Sequence, residues 1–177
     1  MYKTAKMWIT SENHRRSNEL SKALNAEMYL LQANEKNIKN LFIRNVIAFF
    51  ECFIVLFKYK PEKLFVQNPS LLLTCYCCLF KSIYKYKLVV DRHSNFKLPT
   101  MQSYKTKWIL FHLLSKYTVK KSDITIVTNT FLENIVNEWG GLGCVLPDKI
   151  PSFSDCQKIQ LKGKFNIVII STFSQDE

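Results

Sequence analysis

The stretch VVDRHSNF, residues 89–96, breaks an apolar run into five polar groups. A histidine just past a strand end can act as a base near neutral pH, and His93 is placed for that. Asp91, two residues earlier, either orients the imidazole or is itself the base. The same pair also suits an ordinary turn, with Asp91 as its cap and His93 at the surface. Arg92 and Asn95 flank them as candidate substrate contacts. His14, Arg15 and Arg16 follow another apolar run and open a helix. A helix amino terminus favours anions, and two arginines strengthen that preference, so a nucleotide or lipid diphosphate suits the place. Asn68 closes a third apolar run, and Thr128 and Asn129 close a fourth; each either contacts substrate or satisfies its turn. There is no GxGxxG or Walker lysine motif to hold a dinucleotide or ATP. No CxxC pair repeats, and the Cys75, Cys77 and Cys78 cluster has no histidine near it, so no metal site is expected. His112 lies amid apolar helix residues and reads as a core histidine.

These groups need a frame. Strand-like runs occupy 5–10, 27–31, 63–68, 87–91, 123–129, 143–148 and 165–172. Helical patterns cover 14–25, 38–59, a segment opened by Pro69 and Ser70, 105–120 and 130–139. Proline suits a first helical turn, and Thr130 with Glu133 has the form of a capping box. Gly140 and Gly141 stop the last helix. Strand and helix alternate almost strictly, and the strands lack a polar face. That combination implies an α/β protein with a parallel sheet and helices on both faces. Ligands of such sheets bind beyond the strands' carboxyl ends. The polar clusters at 11–17, 67–70, 91–95 and 128–130 all fall there, along one rim.

The totals narrow the class. With 177 residues, 47% hydrophobic and 14% aromatic, the chain can bury a sizeable core and is not a disordered tail. The net charge of +11 is uneven: ten Lys and Arg face five Asp and Glu over residues 1–60, eleven face two over 61–121, and four face seven over 122–177. The basic middle suits a phosphorylated substrate, an anionic membrane surface or nucleic acid, and equally an ordinary solvated face. Six cysteines without metal spacing read as free thiols of a cytosolic protein. The chain does not open with the apolar core of a secretion signal. LFIRNVIAFFECFIVLF, 41–57, carries only Arg44 and Glu51 as charges. A spanning helix needs about 20 apolar residues, and a central charge costs roughly 2.5–3.5 kcal/mol. The stretch therefore reads as a helix buried on the sheet or dipping one face into a membrane interface.

Several stretches together resemble a known family. KLFVQNPSLLL followed by KLVVDRHSNF resembles the VQNP and Asp-x-His pattern of the beta-mannosyltransferases that extend lipid-linked chitobiose. WITSENHRRSNELSKAL resembles the opening strand and helix of bacterial capsule and exopolysaccharide glycosyltransferases, and SDITIVTNTFLENI resembles a later strand and helix of the same enzymes. VLPDKIPSF and FNIVIISTFSQDE resemble their interdomain stretch and the first strand of their second domain. The resemblance implies the amino-terminal half of a GT-B glycosyltransferase. Residues 1–148 would form a Rossmann-like acceptor-binding domain, 149–164 the interdomain linker, and 165–177 the start of the nucleotide-sugar-binding domain. It implies transfer of a hexose from a nucleotide sugar to a lipid-linked or glycan acceptor, with no metal and no further cofactor. His93 and Asp91 would handle the acceptor hydroxyl. His14, Arg15, Arg16, Asn68, Arg92, Asn95, Thr128 and Asn129 would line the cleft. The mannosyltransferases carry Asp-Trp-His-Asn where this chain has Asp91-Arg92-His93-Ser94, which leaves the acceptor open. The family's donor motifs lie in its second domain and are missing from this sequence. The expectation is that these 177 residues alone transfer no sugar, and that the donor is held by the missing domain or by a separate donor-binding chain. The expected location is the cytoplasmic face of a membrane, held peripherally. The alternative is a non-catalytic α/β module that binds nucleic acid or acidic lipid through its basic middle. YKYK at 84–87 and SYKTKW at 103–108 interleave aromatics with lysines but match no nucleic-acid motif, which weighs against nucleic acid.

Overall fold

Short apolar runs, buried along most of their length in the four central strands, build the sheet. The computed structural model describes residues 4–34, 40–68, 70–94, 96–148, 163 and 165. These residues contain β1 (Lys6–Thr10), α1 (Arg15–Ala23), β2 (Glu27–Leu30), α2 (Leu41–Tyr59), β3 (Lys63–Asn68) and α3 (Leu71–Tyr84). There follow β4 (Lys87–Arg92), α4 (Thr106–Lys121), β5 (Ile124–Val127), α5 (Thr130–Glu138) and β6 (Gly143–Val145). All six strands are parallel, in the order β2-β1-β3-β4-β5-β6. The chain thus steps one way from β1 to β2, then crosses back to lay β3 on the other side of β1. That reversal is a topological switch point, the place where open α/β sheets bind ligands.

Successive side chains on a strand point to opposite faces. Leu64 and Val66 of β3, with Leu88 and Val90 of β4, face one way and pack with Cys52, Val55 and Leu56 of α2 and Leu73, Cys77 and Phe80 of α3. Val127 joins Val119 of α4 and Leu132, Ile135 and Val136 of α5 in a second cluster. The other face receives α1, whose Ser17 reaches Gln67 and whose Arg16 reaches Asp91. Helices therefore cover both faces, as the strand pattern implies.

Local chemistry fixes the helix ends. The Asn40 side chain caps α2 by accepting from Phe42 N and Ile43 N. Ser70 caps α3, which begins at Leu71, while Pro69 lies outside the described residues. The expected Thr130–Glu133 capping box is also corrected: Asn129 is the cap, accepting from Leu132 N at 3.0 Å. Gly140, at φ +80°, ends α5 in the left-handed region that glycine adopts without strain. β6 stops at Val145 instead of 148, because Leu146 and Asp148 turn toward Arg16. Cys52, Cys75, Cys77 and Cys78 are buried free thiols, and burial pushes Cys75 up to about 11 and Cys78 up to about 12. No helix among the described residues is long and apolar enough to cross a membrane. The linker at 149–164, apart from Gly163, and the strand expected at 165–172, apart from Phe165, lie outside the described residues, as does Asn95.

Candidate functional site

β1, β3 and β4 end side by side, so their polar tips meet at the switch point. Gln67 pairs in register with Asp91, and Asn68 with Arg92. The pleat then sends Gln67 and Asp91 to the α1 face and Asn68 and Arg92 to the α3–α4 face.

On the α1 face the centre is Arg16. Its Nε lies 3.1 Å and 3.0 Å from the two Asp91 oxygens, and its Nη2 lies 2.9 Å from Oδ1. Nη1 donates to Asp148 at 2.6 Å, and Nη2 also donates to the Leu146 carbonyl at 3.0 Å. The guanidinium is therefore committed to two carboxylates and a carbonyl. Burial opposes its charge, and the bonds to Asp91 and Asp148 more than offset that, raising its pKa. This corrects the expectation that Arg16 receives a phosphate: its donors are engaged, and the carboxylates around it outnumber its charge. Neighbouring His14 and Arg15 are paired as well, with Glu12 at 2.8 Å and Glu19 at 2.7 Å. Arg15 and Arg16 border an open cleft of about 650 Å³ between α1 and Leu146–Asp148, which His93 does not line.

Asp91 is 1% exposed, and both of its oxygens face Arg16. A carboxylate held this way is poorly placed to collect a substrate proton, so of the two candidate bases the geometry favours His93. The His93 side chain is 30% exposed. Its Nδ1 is buried, has no hydrogen-bond partner among the described residues, and lies 3.9 Å from Asp91 Oδ2. That separation is a charge contact and too long for a hydrogen bond. A carboxylate on that side favours the tautomer protonated at Nδ1, which leaves Nε2 as the lone-pair nitrogen for an incoming hydroxyl. The His14 ring stands edge-on to His93 at 6.4 Å, so β1 and β4 together wall this corner.

The loop after His93 is held in an unusual shape. Phe96 and Lys97 both have positive φ, +58° and +52°. A bulky residue there is strained, and packing must hold it. Phe96 is fully buried between the Arg92 guanidinium, 3.9 Å from its ring, and Trp139 at 5.0 Å. Arg92 is accordingly not a rim residue. It is 1% exposed, donates to Ser115 at 3.2 Å, and among the described residues its Nε and Nη1 have no partner. Burial pulls its pKa down to about 9. The expectation that Arg92 contacts substrate from the cleft is corrected: it props the loop from beneath the helical face. His112 is a core histidine that bonds Thr100 at 2.9 Å.

Asn68 is buried beside Arg92 with Nδ2 unpaired, and Asn129 is occupied in capping α5 with Thr128 beside it. Gln67 and Ser17, within the polar clusters at 67–70 and 11–17, and Thr10 are not among the predicted site residues. Gln67 Oε1 meets the Thr10 hydroxyl at 2.7 Å and also accepts from Ser17, while the buried Nε2 has no partner among the described residues. Either amide orientation leaves one buried end without a partner at the switch point. Register carries the signal for Gln67: aligning the ends of KLFVQN and KLVVDR sets it against Asp91. Among the described residues no group of three or more His, Cys, Asp or Glu side chains is placed to hold a metal ion. No protein-family model and no curated protein matches the chain. The geometry and the motif resemblance together therefore carry the functional reading.

Proposed function

We propose that this chain is the acceptor-binding part of a glycosyltransferase that moves a hexose from a nucleotide sugar to a lipid-linked or glycan acceptor. The observation that carries the reading is His93 at the switch-point rim, with Nδ1 toward the buried Asp91 carboxylate and part of its ring exposed. In this scheme Nε2 takes the proton of the acceptor hydroxyl. The acceptor oxygen bonds to the anomeric carbon, and the nucleoside diphosphate departs. Asp91 offsets the charge that develops on the imidazole, and Arg16 holds Asp91 still. His14, exposed beside His93, supplies a further polar contact for the sugar.

The test is a binding series on the purified chain with diphosphate-linked oligosaccharides, nucleotide sugars and oligonucleotides. The expected result is saturable binding of an oligosaccharide that weakens roughly tenfold or more in His93→Ala, the loss of one good charged or polar contact. Binding of oligonucleotides alone, with a steep salt dependence, would replace this reading with the nucleic-acid module.

A further inference from the structure

We propose that the outer face of α2, α3 and α4 docks the protein onto an anionic phospholipid bilayer. This inference stands apart from the sugar-transfer reading and needs none of its residues. α2 and α3 pack side by side on the sheet, as do α3 and α4. Each helix already has a buried inward stripe, such as Cys52, Val55 and Leu56 on α2. Each then carries a second apolar stripe outward. On α2 it is Phe42, Val46, Phe50, Phe53 and Phe57, all exposed at spacings of three and four. On α3 it is Leu72, Leu79 and Ile83, and on α4 Ile109, Leu110 and Leu113. A helix apolar on both sides is normally buried on both sides. α2 and α3 are of that kind, and α4, whose buried side is mostly polar, adds its own outward apolar stripe, so the three in a row form an exposed apolar surface, the mark of a docking site.

Charge selects the occupant. Residues 41–60, 71–85 and 105–121 hold ten Lys and Arg and one carboxylate, Glu51. Glu51 is engaged at the edge of α2, accepting from Gln32 N at 2.8 Å, Ala33 N at 3.0 Å and the Tyr29 hydroxyl at 3.1 Å. The face is thus apolar with cations around it. Lys58, Lys60 and Lys107 each stand over a neighbouring aromatic ring, with their stems along apolar surface. Lysine and aromatic side chains ringing an apolar helical face match the interfacial zone of an anionic membrane. A second copy of the chain fits worse, because a two-fold contact sets the like charges of both patches against each other. Nucleic acid would leave the apolar stripes unused. The helices lie in the interface, since none is long and apolar enough to span.

The test is flotation of the 177-residue chain with phosphatidylcholine vesicles, with and without phosphatidylglycerol. The expected result is binding to the anionic vesicles that falls as salt rises. Ile54 and Leu113 are 60% and 61% exposed, so Ile54→Glu with Leu113→Glu should leave the thermal unfolding cooperative and lower partitioning about a hundredfold. A second readout uses the wild-type chain alone. Trp8 and Trp139 are buried, so brominated lipids should quench Trp108, beside the apolar stripe of α4. Three results overturn the proposal: no flotation with anionic vesicles, flotation without Trp108 quenching, or a double variant that turns a dimer into a monomer while vesicle binding is unchanged.

Discussion

Arg16 and Asp91, 75 positions apart in the sequence, form a forked ion pair at 2.9–3.1 Å. It fastens the first turn of α1 to the carboxyl end of β4 and so fixes the wall beside His93. The pair is nearly dry, with side-chain exposures of 12% and 1%. Breaking such a pair strands a buried charge. Asp91→Asn should cost about 3 kcal/mol in urea unfolding, and Arg16→Met a similar amount. The double variant should recover about 2 kcal/mol relative to the sum of the two. Strict additivity would show that the fork contributes nothing to the fold. The pair also makes Asp91 substitutions ambiguous probes of acceptor binding, whereas His93→Ala spares the clamp.

Asp123 supplies a pH test at the other end of the sheet. Its carboxylate meets Lys81 Nζ at 2.8 Å and Leu88 N at 2.7 Å. Burial pushes its pKa up, and the bonds from Lys81 and Leu88 more than reverse that, leaving it below the ordinary value. A carboxyl depressed in the folded state stabilises above its unfolded pKa, and the stability is lost as pH falls through the folded pKa. Asp123→Asn should therefore lower stability by about 1 kcal/mol at pH 7. The gap should shrink in acid, below about pH 4. A gap that is constant with pH would contradict the assignment.

Among the described residues, Arg92 carries a buried charge with no carboxylate partner, donating to the Ser115 hydroxyl and lying over the Phe96 ring. An unbranched apolar side chain of similar length keeps the packing and removes the desolvation cost. Arg92→Met should raise the unfolding free energy by about 1 kcal/mol near neutral pH. Burial brings the folded pKa down to about 9, below the ordinary arginine value, so above that pH the unfolded chain binds more protons. Wild-type stability should accordingly gain on the variant as pH rises from 9 toward 10. Destabilisation by Arg92→Met at every pH would mean that the charge itself holds the loop.

The frame was legible because strand composition and strand ends coincide. KLFVQN and KLVVDR each open on a lysine and then stay apolar until their last two residues, and in the structure those residues pair as Gln67 with Asp91 and Asn68 with Arg92. Alternation also separates Asp91 from Arg92, yet the polar cluster read as one rim because polar type masked the pleat. What the sequence could not supply is partnership across distance. Glu19 lies one helical turn from Arg15 and is readable, whereas Asp148, 132 positions from Arg16, is not. Helix caps failed for a related reason. Asn129 and Thr130 are both good caps, and the one with extended backbone, Asn129, prevails.

The most direct measurement of the central claim is the His93 imidazole proton spectrum during titration with a diphosphate-linked oligosaccharide, with the wild-type chain and His93→Ala compared. The account predicts that the His93 ring resonances move with acceptor occupancy while His112 resonances stay in place, and that the variant binds roughly tenfold or more weakly with its fold intact. Acceptor binding that leaves the His93 resonances unmoved, and is equally tight in His93→Ala, would contradict it.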